Sequence, residues 1–199
     1  EKYDGSSNLF EKTISKWESA TTTSSSTAYV KLAQTVSYTY DGDSSHKDKA
    51  ESYSYDNTNG NQTQKVEYGH VTGSDDGTFS DSGLDLVTTN ISYASSPSSS
   101  VIGAVKQMTV LDQGSNQLKD TKYYYDGLSF GSVDKGNRTA AEAWKTASTY
   151  ISSQTEYNSF GLVATSTDPR GKVTAYAYDG FSLYPATTTN PLGQKTQFI

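Results

Sequence analysis

The side chains best suited to acid–base chemistry near neutral pH are the two histidines, His46 and His70. A Ser-His-Asp site needs such a histidine held by an orienting carboxylate. Serine and aspartate are so frequent in this chain that chance pairing with a histidine is easy, and no nucleophile-elbow motif is present. We therefore expect both histidines to be polar surface residues. The sequence predicts no catalytic residue, no cofactor and no enzymatic activity.

Runs of aspartate and asparagine raise the question of calcium binding. The segment that starts at Asp41 begins like an EF-hand loop, but His46 stands where the loop requires glycine and Ser52 where it requires glutamate. Residues 56–67 have the right length, yet Gly60 comes one position early. A further acidic stretch contains Asp75, Asp76, Asp81 and Asp85. We interpret these segments as solvated turns and predict no metal site.

A Tyr-x-Tyr-Asp unit occurs four times along the chain, with degenerate copies at Tyr3 and Tyr157. Residues i and i+2 of a strand face the same side, so the two tyrosines of a unit share one face and the aspartate ends the strand. A glycine follows in three units, and Asp-Gly after an aromatic strand indicates a hairpin. The motif residues are Tyr38, Tyr40 and Asp41; Tyr53, Tyr55 and Asp56; Tyr123, Tyr125 and Asp126; and Tyr176, Tyr178 and Asp179.

Two Pro-containing turn sequences lie 22 residues apart near the end of the chain. Proline fixes φ at the second turn position, Asp or Asn at the first can bond the backbone ahead, and glycine closes the turn. We predict that the two turns occupy equivalent positions one repeat apart. Their residues are Asp168, Pro169 and Gly171 in the first, and Asn190, Pro191 and Gly193 in the second.

Short alternating or β-branched segments, separated by Gly, Asn, Asp and Ser, predict an all-β chain. Loops are expected at 75–83 and 94–100. One short helix is expected near residues 140–147, where Thr139 and Glu142 have capping-box spacing and Trp144 would anchor the helix to the sheet. The predicted strands are Val30–Tyr40, Ala50–Tyr55, Thr63–Val71, Asp85–Tyr93, Val105–Leu111, Lys119–Tyr125, Tyr150–Tyr157, Leu162–Thr167, Lys172–Tyr178 and Thr187–Thr189.

Composition sets further bounds on the protein. The chain has 199 residues, no cysteine, 33% hydrophobic residues and 16 tyrosines, with a net charge of −6. The absence of cysteine excludes disulfides, zinc–thiolate sites and thiol catalysis. The acidic balance argues against nucleic-acid binding, and no segment approaches the length of a membrane span. Tyrosine and threonine favour strands with wet surfaces, so we expect β-structure without a thick aliphatic core.

The ordered set of Tyr-Asp units and Pro-Gly turns resembles the RHS/YD-repeat family. The repeat is plainest over residues 150–199. The middle, from Lys122 through Asn137 to Trp144, resembles the shell-forming B subunits of insecticidal toxin complexes, to which the animal teneurins are related. The resemblance implies β-hairpins wound into a spiralling sheet or shell that holds a polypeptide apart from its surroundings. Family shells can also carry a self-cleaving protease, but no residue of this chain corresponds to it.

These observations favour a non-catalytic structural shell or wall module of a large secreted or surface protein. Residues 1–199 are expected to be a single repeat region within a longer chain, with neighbouring repeats and an encapsulated polypeptide as partners. Two alternatives stay open. One is a surface adhesion or carbohydrate-binding module, because rows of tyrosine rings can stack on a surface glycan. The other is an extracellular fibre joined through terminal strands such as residues 197–199.

Overall fold

The structure of the chain is a computed structural model that describes residues 1–5, 8–40, 42, 44–81, 83–96 and 101–198. The expectations for Asp41, for Ile199 and for part of the 94–100 loop therefore lie outside the described residues. All regular secondary structure in the described part is β. The strands are β1 (Lys2–Tyr3), β2 (Leu9–Thr21), β3 (Ala28–Tyr40), β4 (His46–Tyr55), β5 (Gln62–Gly73), β6 (Phe79–Asp81), β7 (Val87–Tyr93), β8 (Val105–Asp112), β9 (Gln117–Tyr125), β10 (Arg138–Thr146), β11 (Thr149–Tyr157), β12 (Val163–Thr167), β13 (Val173–Tyr178), β14 (Pro185–Thr189) and β15 (Lys195–Gln197).

The chain divides into two compact units. The first comprises Glu1–Ile91 and Thr109–Leu118, and the second comprises Ser92–Met108 and Lys119–Ile199. In the first unit the hydrogen-bonded order is β1-β2-β3-β4-β5-β7, with β6 beside β5, and in the second the strands from β9 to β15 follow one another in chain order. The pairings between strands within each unit are antiparallel. This arrangement is a meander of successive hairpins, which requires no crossover connection.

A small core lies in the first unit. The buried residues are Val36, Tyr38 and Tyr40 of β3, Ala50 of β4 and Val71 of β5. The partly buried hydrophobic residues that pack against them are Leu9, Ile14, Tyr68 and Phe79. Two of the five buried members are tyrosines, so aromatic rings replace part of the aliphatic volume that a conventional core would contain.

The second unit contains fewer buried hydrophobic residues than the first. Its buried hydrophobic residues, among those the structure describes, are Ala94 and Val133. Strand β12 is half-buried at every position instead of alternating between buried and exposed residues. A sheet with one face on a core shows a clear alternation of burial, so this pattern is that of a sheet without a packed second layer.

A β-bulge in the first unit explains why residue 69 is a glycine. The register between β4 and β5 shifts at Ala50 and Glu51, opposite Gly69. Gly69 has φ +63°, and a Cβ atom built on it would lie 2.1 Å from a carboxylate oxygen of Asp85. That carboxylate accepts a hydrogen bond from the His70 backbone N–H at 3.0 Å. Glycine at this position therefore permits both the left-handed backbone and the close approach of Asp85.

The all-β prediction is confirmed, but the short helix near 140–147 was wrong. Residues Arg138–Thr146 form β10, which pairs with β9 on one side and β11 on the other. Ala140, Glu142 and Trp144 lie on one face, and the alanines at 141 and 143 lie on the other. These residues favour a helix only weakly, and the hydrogen bonds to the two neighbouring strands stabilise the extended backbone instead.

All ten predicted strands overlap strands of the structure, but other strands were missed. No strand was predicted before Val30, although β2 and β3 are the longest, at 13 residues each. The predicted loop at 75–83 contains β6, which pairs with the end of β5. The chain also forms β15 at Lys195–Gln197. Both faces of β2 are exposed or half-buried and carry polar residues, so its sequence lacks the alternation of apolar and polar residues that predicts a strand.

Candidate functional site

The Tyr-x-Tyr-Asp units lie where four strands end. Tyr40, Tyr55, Tyr125 and Tyr178 are the last residues of β3, β4, β9 and β13, and the aspartate position follows directly. The degenerate copy has the same placement, since Tyr157 ends β11. The motif is therefore an element of the strand-to-turn junction, where a ladder of backbone hydrogen bonds stops and the backbone needs other partners.

The second tyrosine of a unit supplies one such partner. The Tyr55 hydroxyl donates to the Leu32 carbonyl at 3.1 Å. Tyr125 donates to Val105 at 2.8 Å, Tyr178 to Val163 at 3.0 Å, and Tyr157 of the degenerate copy to Arg138 at 3.0 Å. Each acceptor is a backbone carbonyl of the preceding strand, and in the last three pairs it belongs to the first residue of that strand. The ring thus spans the hairpin and ties its second strand to the start of its first.

The first unit, Tyr38 and Tyr40, differs because its rings are core residues. The Tyr38 hydroxyl donates to the Ser74 carbonyl, and the Tyr40 hydroxyl donates to a carboxylate oxygen of Asp75 at 3.0 Å. Burial and the Asp75 carboxylate raise the pKa of Tyr40 to about 12. These bonds fasten the connection between β5 and β6 onto the buried end of β3.

The first tyrosines of the other units contact their immediate neighbours. The Tyr53 hydroxyl donates to the Glu51 carboxylate, which also receives the Lys65 ammonium at 2.9 Å. The Arg138 guanidinium lies over the Tyr123 ring, 5.3 Å from its centroid. Tyr176 of β13 stands opposite Thr188 of β14. The first tyrosines of these three units thus contact residues of their own strand or of the neighbouring strand, whereas the second tyrosines bond the backbone.

The aspartates accept hydrogen bonds from the turns they open. One oxygen of Asp56 accepts the N–H groups of Thr58 and Asn59 at 2.8 and 2.7 Å. One oxygen of Asp179 accepts those of Leu183 and Tyr184 at 2.8 and 3.2 Å. A side-chain oxygen that bonds the backbone ahead is an Asx-type turn, which holds a loop in a single conformation without a hydrophobic core.

Asp126 makes the largest of these clamps. Its two oxygens accept the backbone N–H groups of residues 134, 135, 136 and 137 at 2.9, 2.9, 3.1 and 3.0 Å. Burial alone would raise the pKa of the Asp126 carboxyl, but these four N–H groups outweigh it and lower the pKa below its usual value. The Asp-Gly sequence here does not form a tight two-residue turn, because Asp126 instead opens the long connection between β9 and β10.

The two Pro-containing turns have the same hydrogen bonds at a shift of 22 residues. Asp168 accepts the N–H groups of Arg170 and Lys172 at 2.8 and 2.9 Å. Asn190 accepts those of Leu192 and Gln194, both at 3.0 Å. The closing glycines, Gly171 and Gly193, have φ values of 74° and 79°. In Asp168, the N–H of Lys172 and the Arg170 guanidinium lower the pKa of the carboxyl.

The two histidines have different surroundings. His70 is exposed, as expected. His46 is partly buried, contrary to the prediction for both: its ring meets those of Tyr38 and Tyr40 edge-on, each at 5.2 Å, and its Nδ1 bonds a carboxylate oxygen of Asp48. Asp48 is 3% exposed, and its other oxygen accepts the Gly73 N–H at 2.8 Å. These contacts of His46 and Asp48 join neighbouring strands, and the described residues contain no cluster of three His, Cys, Asp or Glu side chains that could hold a metal ion.

A second buried carboxylate was missed by sequence reasoning. Asp120 of β9 is 2% exposed and accepts the Tyr150 hydroxyl at 2.6 Å and the Gln107 amide at 3.0 Å. The Lys122 ammonium lies 4.1 Å from the centroid of the Tyr150 ring. This network connects β8, β9 and β11 across one face of the second unit. No motif marks it, since its members come from separate strands with no common spacing.

The fold defines a class of β-protein built from successive hairpins with clamped turns. Residues 157–195 match the family model described as RHS Repeat. These residues include the Asp168 turn and the Tyr176 unit, and the resemblance to RHS/YD-repeat proteins is confirmed there. The chain thus carries an RHS repeat. No curated protein sequence matches it.

One solved structure shows the same fold at low sequence identity. The chain is similar to one from the Photorhabdus luminescens Tc holotoxin pore, with a TM-score of 0.51 and 9% identity over 96% of this chain and 16% of that one. It also matches structures titled TcdB2-TccC3-TEV and TcdB2-TccC3-Cdc42, each at 10% identity, with TM-scores of 0.49 and 0.47 over 96% and 95% of this chain and 15% of those chains. The first similarity supports the fold. The chain spans less than a fifth of the length of these structures.

Replacing Tyr55 by Phe tests the hydroxyl bond to the preceding strand. We expect Tyr55→Phe to lower the free energy of unfolding by about 1 kcal/mol, because the half-buried Leu32 carbonyl loses its donor. Tyr29→Phe is the matched control, since the Tyr29 hydroxyl is buried without a hydrogen-bond partner among the described residues. Removing it should leave stability unchanged or raise it. Urea unfolding followed by circular dichroism measures both, and equal losses in the two variants would contradict this role.

The clamp at Asp126 predicts a pH dependence of stability. Since its pKa is lowered in the folded chain, its contribution is present above the unfolded value of about 3.9 and is lost as the pH falls through the folded pKa. Asp126→Asn should lower stability at pH 7 and flatten the loss between about pH 4 and pH 2 relative to the parent chain. Asp134→Asn, an exposed carboxylate of the same connection, is the control. Thermal unfolding across this pH range is the measurement, and parallel curves for the parent and Asp126→Asn would show that the clamp does not titrate.

Proposed function

We propose that this chain is a wall segment of a large secreted or cell-surface RHS-repeat protein, in which residues 1–199 form one repeat region of a longer polypeptide. The observation that carries the proposal is the half-burial of strands at successive positions, as in β12, within a meander of clamped hairpins. A wall one sheet thick has water or cargo on both faces. Such a wall needs rings and hydroxyl groups that tolerate both environments, and this chain is rich in tyrosine.

The comparisons support the same role. The RHS Repeat family model matches residues 157–195 of the second unit, and the solved structure with the same fold comes from a Tc holotoxin pore. By analogy with shells of toxin complexes, the cargo of the complete protein is a polypeptide enclosed behind the wall. Neighbouring repeats are the other partners in this proposal. Strand β2 offers them an edge, because β1 pairs with it only at Leu9 and Glu11 and the rest of that edge has no partner among the described residues.

Electron cryo-microscopy of the natural protein that contains this sequence tests the shell. We expect a hollow particle whose wall contains the hairpin meander, with density for a polypeptide inside. A solid particle would contradict the proposal. A filament with strands paired between copies would favour the fibre alternative instead.

None of the described residues forms a helix long and apolar enough to cross a membrane.

We also propose that the chain has no catalytic activity of its own. The only histidine near a buried carboxylate, among the described residues, is His46, and its ring is enclosed by Tyr38 and Tyr40 while Nδ1 is bound to Asp48. Such a pair fastens β4 to the end of β5 through Gly73. Screening the purified chain against ester, peptide, glycoside and phosphate substrates should give no turnover. Turnover that is abolished by His46→Ala or His70→Ala in a folded variant would overturn this part of the proposal.

A further inference from the structure

Two neighbouring connections of the second unit carry its most prominent exposed hydrophobic side chains. Phe160 lies between β11 and β12, and Phe181, Leu183 and Tyr184 lie between β13 and β14; each is between 67% and 85% exposed. The strands from β11 to β14 are successive and antiparallel, so both connections emerge at the same edge of the sheet. They are two strand spacings apart, about 10 Å. These four residues are called the apolar edge below.

The opposite edge of the same strands has a different composition. Its connections, residues 168–172 and 190–194, contain Arg170 and Lys172 and one large hydrophobic residue, Leu192. The two connections of the apolar edge, residues 158–162 and 179–184, contain no lysine or arginine, and their one charged residue is Asp179. Exposure of several large hydrophobic side chains is therefore a property of one edge and not of every turn in this fold.

The backbone of the apolar edge already has hydrogen-bond partners. The side-chain oxygen of Asn158 accepts the Phe160 N–H at 3.0 Å. One oxygen of Asp179 accepts the N–H groups of Leu183 and Tyr184 at 2.8 and 3.2 Å. A backbone N–H that enters an apolar medium without a partner costs free energy, and these internal bonds avoid that cost. The hydrophobic side chains can therefore leave water together with the turns that carry them.

The chemistry and the placement of the edge favour a lipid surface as its partner. Turns that emerge from the end of a sheet present separate groups of side chains, whereas a folded protein partner requires a continuous complementary surface. Phenylalanine, leucine and tyrosine are side chains that enter the boundary between lipid and water, where a tyrosine hydroxyl stays hydrated. The apolar edge offers no lysine or arginine to anionic headgroups. The matching lipid is therefore electrically neutral, as phosphatidylcholine is.

We propose that the apolar edge inserts into the surface of a zwitterionic lipid bilayer, with Phe160 and Phe181 as the main apolar contacts. The insertion is peripheral, because side chains of two turns enter the lipid and the strands stay outside it. The inference uses residues of one unit and does not depend on the proposed role as a wall segment. It adds a membrane surface to the partners of the chain.

Co-sedimentation of the purified 199-residue chain with vesicles tests the interaction. One set of vesicles contains phosphatidylcholine alone, and a second set also contains phosphatidylserine. We expect binding to phosphatidylcholine with an affinity that changes little between low and high salt, because no ion pair is formed. Phosphatidylserine should not strengthen binding, since the chain has a net charge of −6.

Substitutions at the two edges locate the contact. The double variant Phe160→Ser with Phe181→Ser should weaken binding at least about tenfold, because two rings no longer leave water. Leu192→Ser is the matched control and should leave affinity unchanged. Leu192 is 83% exposed on the opposite edge, and its N–H bonds the Asn190 side chain at 3.0 Å, as the Phe160 N–H bonds Asn158. Circular dichroism verifies that both variants are folded.

An introduced tryptophan reports which edge touches the lipid. Phe181→Trp fluorescence should be quenched by vesicles of brominated phosphatidylcholine, and Leu192→Trp fluorescence should not. The parent chain, which contains Trp17 and Trp144, supplies the background signal for both variants. Equal quenching of the two introduced tryptophans would contradict insertion through the apolar edge.

Three further results would overturn the proposal. The first is the absence of binding to phosphatidylcholine vesicles at millimolar lipid. The second is binding that requires phosphatidylserine and is lost at high salt, which would identify adsorption through lysines elsewhere on the chain. The third is self-association of the chain in sedimentation, abolished by the double serine variant, without any vesicle binding. That outcome would assign the apolar edge to a contact with a second copy.

Discussion

The hairpin array depends on side-chain oxygen atoms that accept backbone N–H groups where strands end. A turn that emerges from a thin sheet has no hydrophobic layer beneath it, so its backbone conformation must be fixed by local hydrogen bonds. Asp126, Asp168, Asp179 and Asn190 provide them, each bonding N–H groups two or more residues ahead. The aspartate of the repeat is therefore a structural residue, and its position immediately after a strand follows from that task.

The tyrosines at the same junctions donate hydrogen bonds to backbone carbonyl groups, as the aspartates accept them from backbone N–H groups. The carbonyl of the first residue in a hairpin's first strand lies at the end of the ladder of interstrand hydrogen bonds and needs another donor. A hydrophobic side chain could cover that carbonyl but could not donate a hydrogen bond to it. A tyrosine ring covers the hairpin while its hydroxyl reaches the carbonyl, as Tyr125 and Tyr178 do. Phenylalanine would supply the ring alone. This requirement explains why tyrosine is frequent in a chain that has only six phenylalanines.

Much of the fold could be predicted from the sequence because its information is local. Strand ends are marked by Tyr-x-Tyr-Asp, and turns by Pro and Gly, so the segments around residues 150–189 were assigned correctly. The failures occurred where local signals conflict with pairing. Residues 138–146 contain alanine and a capping box, yet the two neighbouring strands impose an extended backbone. Strand β2 has polar residues on both faces. When both faces of a sheet are exposed to water, the strand lacks the alternation of apolar and polar residues by which strands are recognised in a sequence.

The buried carboxylates could not be predicted for a different reason. They depend on register, which aligns residues that have no fixed spacing in the chain. A slip of one residue in the pairing of β10 with β9 or with β11 would place the opposite face of a strand at every position of the row. Asp120 accepts hydrogen bonds from Tyr150 of β11 and Gln107 of β8, which lie on the same face only in this register. A repeat with weakly patterned faces needs such specific polar contacts to hold its register, since its aliphatic core is too small to do so.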